Sequence, residues 1–256
     1  MNVFVKRWLK GFYMSLGMFQ AIPLPAHVWD DACKNLMLPC FPLVGILIGM
    51  IWWGAAELLG FLGMHAMVSA AILAVLPFFL TGFLHLDGYM DTSDAVLSRR
   101  PLEDKLRILK DPHTGAFSVI MIGVLLLLQF AAIYAAVDLG RRFMLLIFIT
   151  VISRCCASAA LQSLPVMAQS GYANMLRQGT RGIHKACVIY EAALAVAAAC
   201  WFAGLSGLIC VGATVIGFAC AMAYSYKEFK GVSGDLAGYA ITIGELCGLF
   251  ALGVAL

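Results

Sequence analysis

Seven long apolar runs limit what this chain can fold into. They cover about residues 39–62, 66–84, 117–137, 143–164, 187–205, 207–224 and 237–256. A helix needs about 20 apolar residues to cross a bilayer, whereas a barrel strand needs only about 10 alternating ones. Because the runs are continuous and near the helical length, they predict an all-α fold. We expect a polytopic membrane bundle of about seven transmembrane helices, forming a single domain over residues 1–256.

The composition excludes two other classes of protein. Hydrophobic residues make up 62% of the chain and charged residues 12%, against about 45–50% and 25% in soluble domains. A soluble globule cannot bury that much apolar surface, and disordered chains are poor in apolar residues. The net charge of +3 is too small to indicate a nucleic-acid partner. The nine cysteines form no C-x-x-C motif and lie mostly in apolar runs, which is typical of packing residues.

Charge patterning predicts the orientation in the membrane. The segment before the first run mixes aromatic residues with Lys6, Arg7 and Lys10, which predicts an amphipathic helix on the membrane surface. With seven crossings, 14 of the 17 Lys and Arg residues share the side of the N-terminus and only 2 lie opposite. By the positive-inside rule, the N-terminus and the three long polar loops are expected in the cytoplasm.

One polar loop, residues 85–116, holds 11 of the 31 charged residues. Within it, Asp87, Asp91 and Asp94 follow the spacing i, i+4, i+7, which places three carboxylates on one face of a helix. Such carboxylates repel one another unless a hard cation lies between them, and Mg²⁺ takes oxygen ligands, often together with substrate phosphates. The pattern therefore predicts a Mg²⁺ site, with a solvated acidic face as the alternative.

Two further residues at the start of this loop leave alternatives open. On a continuous helix, the ring of His85 points away from the aspartates and either forms a structural hydrogen bond or contacts a ligand. Gly88 allows close backbone approach, either by a bulky ligand or by a neighbouring helix.

The second half of the loop predicts a short interfacial helix that opens at Pro101. An apolar stripe of Leu102, Leu106 and Leu109 would cover the loop, and the helix would end before Pro112. The cations of this half could neutralise phosphate oxygens, although the positive-inside rule alone would also place them here. They are Arg99, Arg100, Arg107 and Lys110.

Three charges lie in or beside the later apolar runs. Arg154 is in the middle of the fourth run, Glu245 is inside the seventh, and Asp235 is at its cytoplasmic end. A charge at the bilayer centre costs at least about 2.5–3.5 kcal/mol, so it should pair or line a wet cavity. Arg154 and Glu245 could form a structural pair or line a polar cavity below the aspartates. The glycine-rich turn that ends at Gly234 could hold an anion and bring Asp235 to a metal.

These residues together resemble the cobalamin synthase family, the adenosylcobinamide-GDP ribazoletransferases. The signature G-x-L-H-L-D-G-x-x-D-T-x-D is present from Gly82 to Asp94. Matching phrases run from Phe12 to Pro25, Phe41 to Gly49, Lys110 to Gly115, through Ser153-Arg154, and from Gly234 to Glu245. Two positions depart from the family pattern. Phe83 stands where the family has Gly, and His113 replaces an arginine, which puts a phosphate contact there in doubt.

The resemblance implies transfer of a phosphorus-linked group in cobalamin biosynthesis. The 5′-hydroxyl of α-ribazole, or of its 5′-phosphate, would attack adenosylcobinamide-GDP and release GMP, at the bacterial inner membrane and with Mg²⁺ as cofactor. The resemblance implies which residues belong to the site, and the role of each residue is our hypothesis. The residues are Asp87, Asp91, Asp94 and Asp235 for the metal, Asp94, Lys110 and Arg154 for catalysis, and His85, Gly88, Arg107, Asp111, Gly234 and Glu245 for substrate binding.

Two other classes of protein share some of these sequence features. CDP-alcohol phosphotransferases also carry an aspartate series at a span end, but their D-x-x-D-G-x-x-A-R motif is missing here. A transporter could use Arg154 and Glu245 as an ion path, but the sequence has no paired halves with broken helices. Both substrates are small molecules and the bilayer surrounds the protein. Homo-oligomers and association with other enzymes of the pathway stay open.

Overall fold

A computed structural model describes residues 3–140, 142–167 and 170–254. Ten α-helices account for most of this part of the chain, and an isolated bridge joins Val166 to Val232. The helices are α1 (Val3–Phe19), α2 (Met37–Phe61), α3 (Ala66–Leu80), α4 (Leu84–Leu97), α5 (Leu102–Ile108), α6 (Ala116–Asp138), α7 (Leu145–Ser163), α8 (Gly171–Arg177), α9 (Gly182–Phe229) and α10 (Gly234–Val254). A 3₁₀ turn (Asp31–Leu36) leads into α2. The predicted all-α membrane fold is confirmed.

Five helical segments are long and apolar enough to cross a membrane, and a sixth candidate is counted where α3, which has 15 residues, bends into α4. The bounds of α2, α6 and α7 agree with the predicted runs to within two residues. The second run was predicted to reach residue 84, but α3 ends at Leu80 because the chain turns there. The polar segment that follows does not continue the crossing.

The 48-residue helix α9 contains a reversal that supplies one more crossing. Gly204 has φ 57° and ψ −132°, which is not helical. A Cβ built on Gly207 would lie 2.1 Å from the carbonyl oxygen of Ala199, whereas residues eight apart in a continuous helix are about 12 Å apart along the axis. The chain therefore folds back at Gly204. Its two arms correspond to the predicted runs at 187–205 and 207–224, and counting them separately gives seven candidate crossings in the described chain.

The central helix of the bundle is α7, which packs against α2, α9 and α10. Glycines bring the α2 and α7 backbones close together, since a Cβ on Gly45 would lie 2.7 Å from the Thr150 carbonyl oxygen. The Thr150 hydroxyl donates a hydrogen bond of 2.8 Å to the Gly45 carbonyl. Without water in the hydrocarbon region, small residues and interhelical hydrogen bonds hold such helices together.

A sharp bend after α3 directs α4 across one end of the bundle. The two helices meet at 93°, and both Gly82 (φ 59°) and Phe83 (φ 62°) adopt left-handed backbone conformations. The short helix α5 begins after Pro101 as predicted, and Leu109 is buried beneath it. An ion pair between Lys105 and Glu228 ties α5 to α9. Helices α4 and α5 thus form a polar layer at the end of the bundle where α10 begins.

Candidate active site

The three aspartates of α4 lie on a continuous helix, as their spacing predicted. Asp87 is exposed, whereas Asp91 and Asp94 are half-buried. The backbone of α4 also packs closely on α10, because a Cβ at Gly88 would lie 2.6 Å from the Asp235 carbonyl oxygen. The space beside Gly88 is therefore filled by a neighbouring helix. Of the two interpretations of Gly88, close approach by a helix agrees with this contact. This contact brings Asp235 to the aspartate helix.

A cleft of about 240 Å³ brings α4 together with the end of the polar loop. Asp87 and Asp91 lie on one wall, and Lys110, Asp111 and His113 on another. The His113 Nδ1 atom is 2.6 Å from the Asp111 carboxylate, and the backbone N–H of His113 donates to the same oxygen. The cleft therefore combines carboxylates with one lysine, a composition suited to a phosphate-bearing ligand and its counter-ion.

The electrostatics of the aspartates indicate uncompensated negative charge. Burial, followed by the charges of three neighbouring carboxylates, raises the pKa of Asp91 to about 7. These neighbours are Asp87, Asp235 and Asp94. Within the described ranges, no Lys, Arg or His forms an ion pair with any of the four. Among the same described residues, no three His, Cys, Asp or Glu side chains are already placed as a metal-binding group.

The donor chemistry nevertheless fits Mg²⁺. This ion prefers oxygen ligands and is usually held by only one or two carboxylates, with substrate phosphates and water completing its shell. Asp87 and Asp91 line the cleft and lack cationic partners, so they supply such oxygens. A site that is completed by the substrate does not require three protein ligands to converge beforehand.

Gly115 lies in the site, although the sequence did not predict a role for it. A Cβ built on it would lie 2.1 Å from both carboxylate oxygens of Asp94. Gly115 also precedes the first residue of α6, so the Asp94 carboxylate lies at a helix N-terminus, where negative charge is favoured. The K-D-x-x-x-G motif includes this glycine, but the sequence alone did not show that the glycine makes room for the Asp94 carboxylate.

A second cavity, of about 290 Å³, adjoins the first turn of α10. His85, Gly234 and Asp235 line it together with apolar side chains. Burial, and to a lesser degree the charge of Arg154, lowers the pKa of His85 to about 3, so the imidazole is neutral. Its Nε2 atom is buried and has no hydrogen-bond partner within the described part of the chain. Asp235 is therefore shared between this cavity and the aspartate cluster.

Arg154 and Glu245 pair with each other inside the bundle. The Arg154 Nη1 atom lies 2.5 Å from Glu245 and also donates to the Thr150 carbonyl at 3.0 Å. The Ser153 hydroxyl donates to the same Glu245 oxygen at 2.8 Å. The arginine is 1% exposed, and its guanidinium lies 5.8 Å from the centre of the Phe41 ring. This is the structural pair considered from the sequence, and neither residue lines the aspartate cleft.

Arg107 also lies apart from the cleft. It forms an exposed pair with Asp104 at 3.2 Å, one turn away on α5. The cation of the loop that lines the cleft is Lys110. The structure thus brings Asp87, Asp91, Lys110 and Asp111 together and leaves Arg107 outside.

Comparison with known proteins gives a consistent result along the chain. The family model for cobalamin-5-phosphate synthase matches residues 11–253. A Clostridium botulinum protein named adenosylcobinamide-GDP ribazoletransferase is 36% identical over 248 residues, covering 96% of this chain and 98% of the relative.

Two further relatives carry the same name. One from Clostridium perfringens is 37% identical over 251 residues, covering 98% of this chain and 100% of the relative. One from Acinetobacter baumannii is 31% identical over 253 residues, covering 95% and 97%. No solved structure matches the chain.

Proposed function

Because the chain belongs to the cobalamin-5-phosphate synthase family, we propose that it joins adenosylcobinamide-GDP to α-ribazole, or to α-ribazole 5′-phosphate, and releases GMP. This is a late step of cobalamin biosynthesis. Relatives that carry the ribazoletransferase name match almost the full length of the chain. The observation that carries the proposal is the cleft in which Asp87 and Asp91 face Lys110.

The reaction makes one phosphorus–oxygen bond and breaks another. The 5′-hydroxyl oxygen of α-ribazole attacks the phosphorus that is bonded to cobinamide. The bridging oxygen between the two phosphorus atoms leaves with GMP, and the hydroxyl proton passes to a carboxylate. We assign that proton to Asp94, which is half-buried at the N-terminus of α6 and can act as a general base if it comes within hydrogen-bond reach.

Lys110 and Asp111 act on the substrate from the second wall of the cleft. The ammonium group of Lys110 neutralises charge that develops on the phosphate oxygens as GMP leaves, and a fixed cation in a partly enclosed cleft does this effectively. Asp111 holds His113 at the rim of the cleft. His85 and Gly234 contact the substrate from the adjoining cavity that they line.

We propose that Mg²⁺ is held by Asp87 and Asp91, with Asp94 and Asp235 as further carboxylates of the cluster. The ion would supply charge neutralisation on the pyrophosphate oxygens. Support comes from the raised pKa of Asp91 and from the lack of cationic partners for the cluster among the described residues. Two charged carboxylates this close are disfavoured without a counter-ion.

For Arg154 and Glu245 we propose a positioning role. Their pair joins α7 to α10, and α10 carries Asp235 and Gly234 at its first turn. Because the Arg154 guanidinium already binds Glu245, Thr150 and Ser153, it supports the site through the packing of α10 instead of touching phosphate.

We also propose that the site faces the cytoplasm from the bacterial inner membrane. The end of the bundle that holds α1, α4 and α5 carries most of the Lys and Arg residues, and cytoplasmic loops are rich in these cations. The polar substrates would reach the cleft from the cytosol, without crossing the bilayer.

Turnover by the purified protein tests the proposal. The protein in detergent or nanodiscs would receive adenosylcobinamide-GDP and α-ribazole with Mg²⁺, and GMP and the corrinoid product would be measured. We expect equal amounts of the two products. A folded protein that releases no GMP under these conditions would refute the proposed function.

A further inference from the structure

The cavity beside the first turn of α10 has mostly apolar walls, and its polar lining residues are His85, Ser170, Tyr172 and Asp235. Its volume is about 290 Å³, near the lower limit of about 300 Å³ for small-molecule pockets. Phe41, Leu161, Leu176 and Ile241 form much of its wall, and all four side chains are buried in the bundle. Such walls suit a flat apolar ring better than a phosphate or a sugar.

Of these four polar residues, His85 is the one that is buried. The residue is 8% exposed, and its Nε2 atom has no hydrogen-bond partner among the residues that the structure describes. A buried polar atom without a partner is costly, and in functional sites its partner is often a ligand. A neutral imidazole can present either a donor or an acceptor at Nε2, so one hydrogen-bonding group on an otherwise apolar ligand would satisfy it.

We propose that this cavity binds the aromatic base of α-ribazole, with Nε2 of His85 as its hydrogen-bonding partner. The assignment rests on the function proposed above. A dimethylated benzimidazole is flat and apolar, and its one ring nitrogen that is not bonded to ribose can accept a hydrogen bond. The corrin macrocycle with its amide arms is larger than the cavity.

The position of the cavity also suits this assignment. Asp235 lines it, and the backbone of Asp235 packs directly on α4 at Gly88, next to Asp87. A base held by His85 therefore leaves its ribose near the carboxylates. The 5′-hydroxyl can then approach the cleft in which the pyrophosphate lies.

The first test is the variant His85→Phe, which keeps a ring of similar size and removes the hydrogen bond. We expect the KM for α-ribazole to rise about tenfold or more, while the KM for adenosylcobinamide-GDP stays within about twofold. The matched control is His184→Asn. His184 is also buried but packs against Trp8, away from this cavity, so both KM values should stay near those of the wild type.

A second variant tests the size of the cavity and does not depend on His85. Leu176→Phe on the short helix α8 narrows the space. The variant should raise the KM for α-ribazole about fivefold more than the KM for the riboside of unmethylated benzimidazole, since overpacking penalises the larger ligand.

The outcomes separate this inference from the proposed function. If the wild-type protein releases no GMP, the proposed function fails. If the wild type is active but His85→Phe and Leu176→Phe keep the wild-type KM for α-ribazole, only the base assignment fails. A selective rise in the KM for adenosylcobinamide-GDP in either variant would also overturn it, because the cavity would then bind the other substrate.

Discussion

Arg154 and Glu245 form an ion pair that is almost removed from solvent, with side chains 1% and 13% exposed. Such a pair has two possible uses, to hold helices together or to supply charge to a reaction. A structural pair can be replaced by apolar residues, because burying two charges already costs about as much as their attraction returns. A catalytic arginine cannot be replaced in this way.

We therefore predict that the single variants Arg154→Met and Glu245→Met each lose about 3–5 kcal/mol of stability, because each leaves one buried charge unpaired. The double variant should recover most of that stability and measurable turnover. Thermal unfolding and GMP release, measured on the same preparations, check both expectations. A stable double variant without any activity would contradict the positioning role and indicate direct contact with the substrate.

Gly115 gives a second prediction for a single residue. Gly115→Ala should lower kcat about tenfold or more, since its Cβ would meet the Asp94 carboxylate at 2.1 Å and misplaced catalytic groups are costly. Gly123→Ala, inside α6, is the matched control because its Cβ would meet no described atom within 4 Å. Initial rates of both variants at saturating substrate provide the measurement. Equal rates for the two would show that Asp94 needs no fixed position.

The sequence predicted part of this site because helical spacing determines which side chains share a face. Asp87 and Asp91 on one wall follow from that spacing, and Lys110 follows from its phrase in the polar loop. The room that Gly115 leaves for Asp94 depends on how the start of α6 packs against α4, and the cavity at His85 depends on elements far apart in the chain. Local patterns contain neither contact.

The bend between α3 and α4 is the element that places the aspartates across the end of the bundle. Phe83 lies in this bend with φ 62°, a left-handed conformation that is unfavourable for a bulky residue. Its ring contacts Phe79, with 5.0 Å between the centroids. The family resemblance implies glycine at this position. The bend explains that preference, because glycine adopts this conformation without strain.

Two substitutions at Phe83 separate backbone strain from the ring contact. Both Phe83→Gly and Phe83→Ala remove the ring, but only glycine relieves the left-handed backbone, which costs other residues about 1–2 kcal/mol. We expect the glycine variant to unfold about 2–4 °C above the alanine variant. Thermal unfolding in one detergent measures the difference. An alanine variant that is equally stable would contradict the strained bend.

The reversal in α9 shows why apolar runs predict crossings better than turns. The sequence suggested two runs separated near residue 206, and the structure places the reversal at Gly204 without a polar loop. Arg142 donates a hydrogen bond to the Phe202 carbonyl near this turn. A turn made from apolar residues and one glycine carries little signal in hydropathy alone.

At the level of the whole molecule, the seven-pass arrangement predicts the side of every loop. Alkaline phosphatase, which folds only outside the cytoplasm, should be active when fused after Gly140, Gly204 or residue 254. It should be inactive after Gly179 and Lys230. Green fluorescent protein at the same five positions should give the opposite result. Active phosphatase after Lys230 would mean that α9 crosses only once, and it would contradict the reversal.

Most of the fold could be predicted because a bilayer leaves few solutions for long apolar segments. The runs that became α2, α6 and α7 were located to within two residues. The close contact between Gly45 and Thr150 could not be predicted. Small residues indicate that a helix packs closely against another, but they do not indicate which helix that is. The packing that shapes the site is therefore information that only the three-dimensional structure provides.

The dependence of GMP release on Mg²⁺ concentration, measured for the wild type and Asp87→Asn, tests the proposed role of the aspartate cluster most directly. Wild-type turnover should require Mg²⁺ and disappear with EDTA, and Asp87→Asn should lose about a hundredfold or more in rate while remaining folded. Asp104→Asn is the control, since Asp104 forms an exposed ion pair with Arg107 and such pairs contribute little. An Asp87→Asn variant with the wild-type rate and Mg²⁺ dependence would remove Asp87 from the metal site.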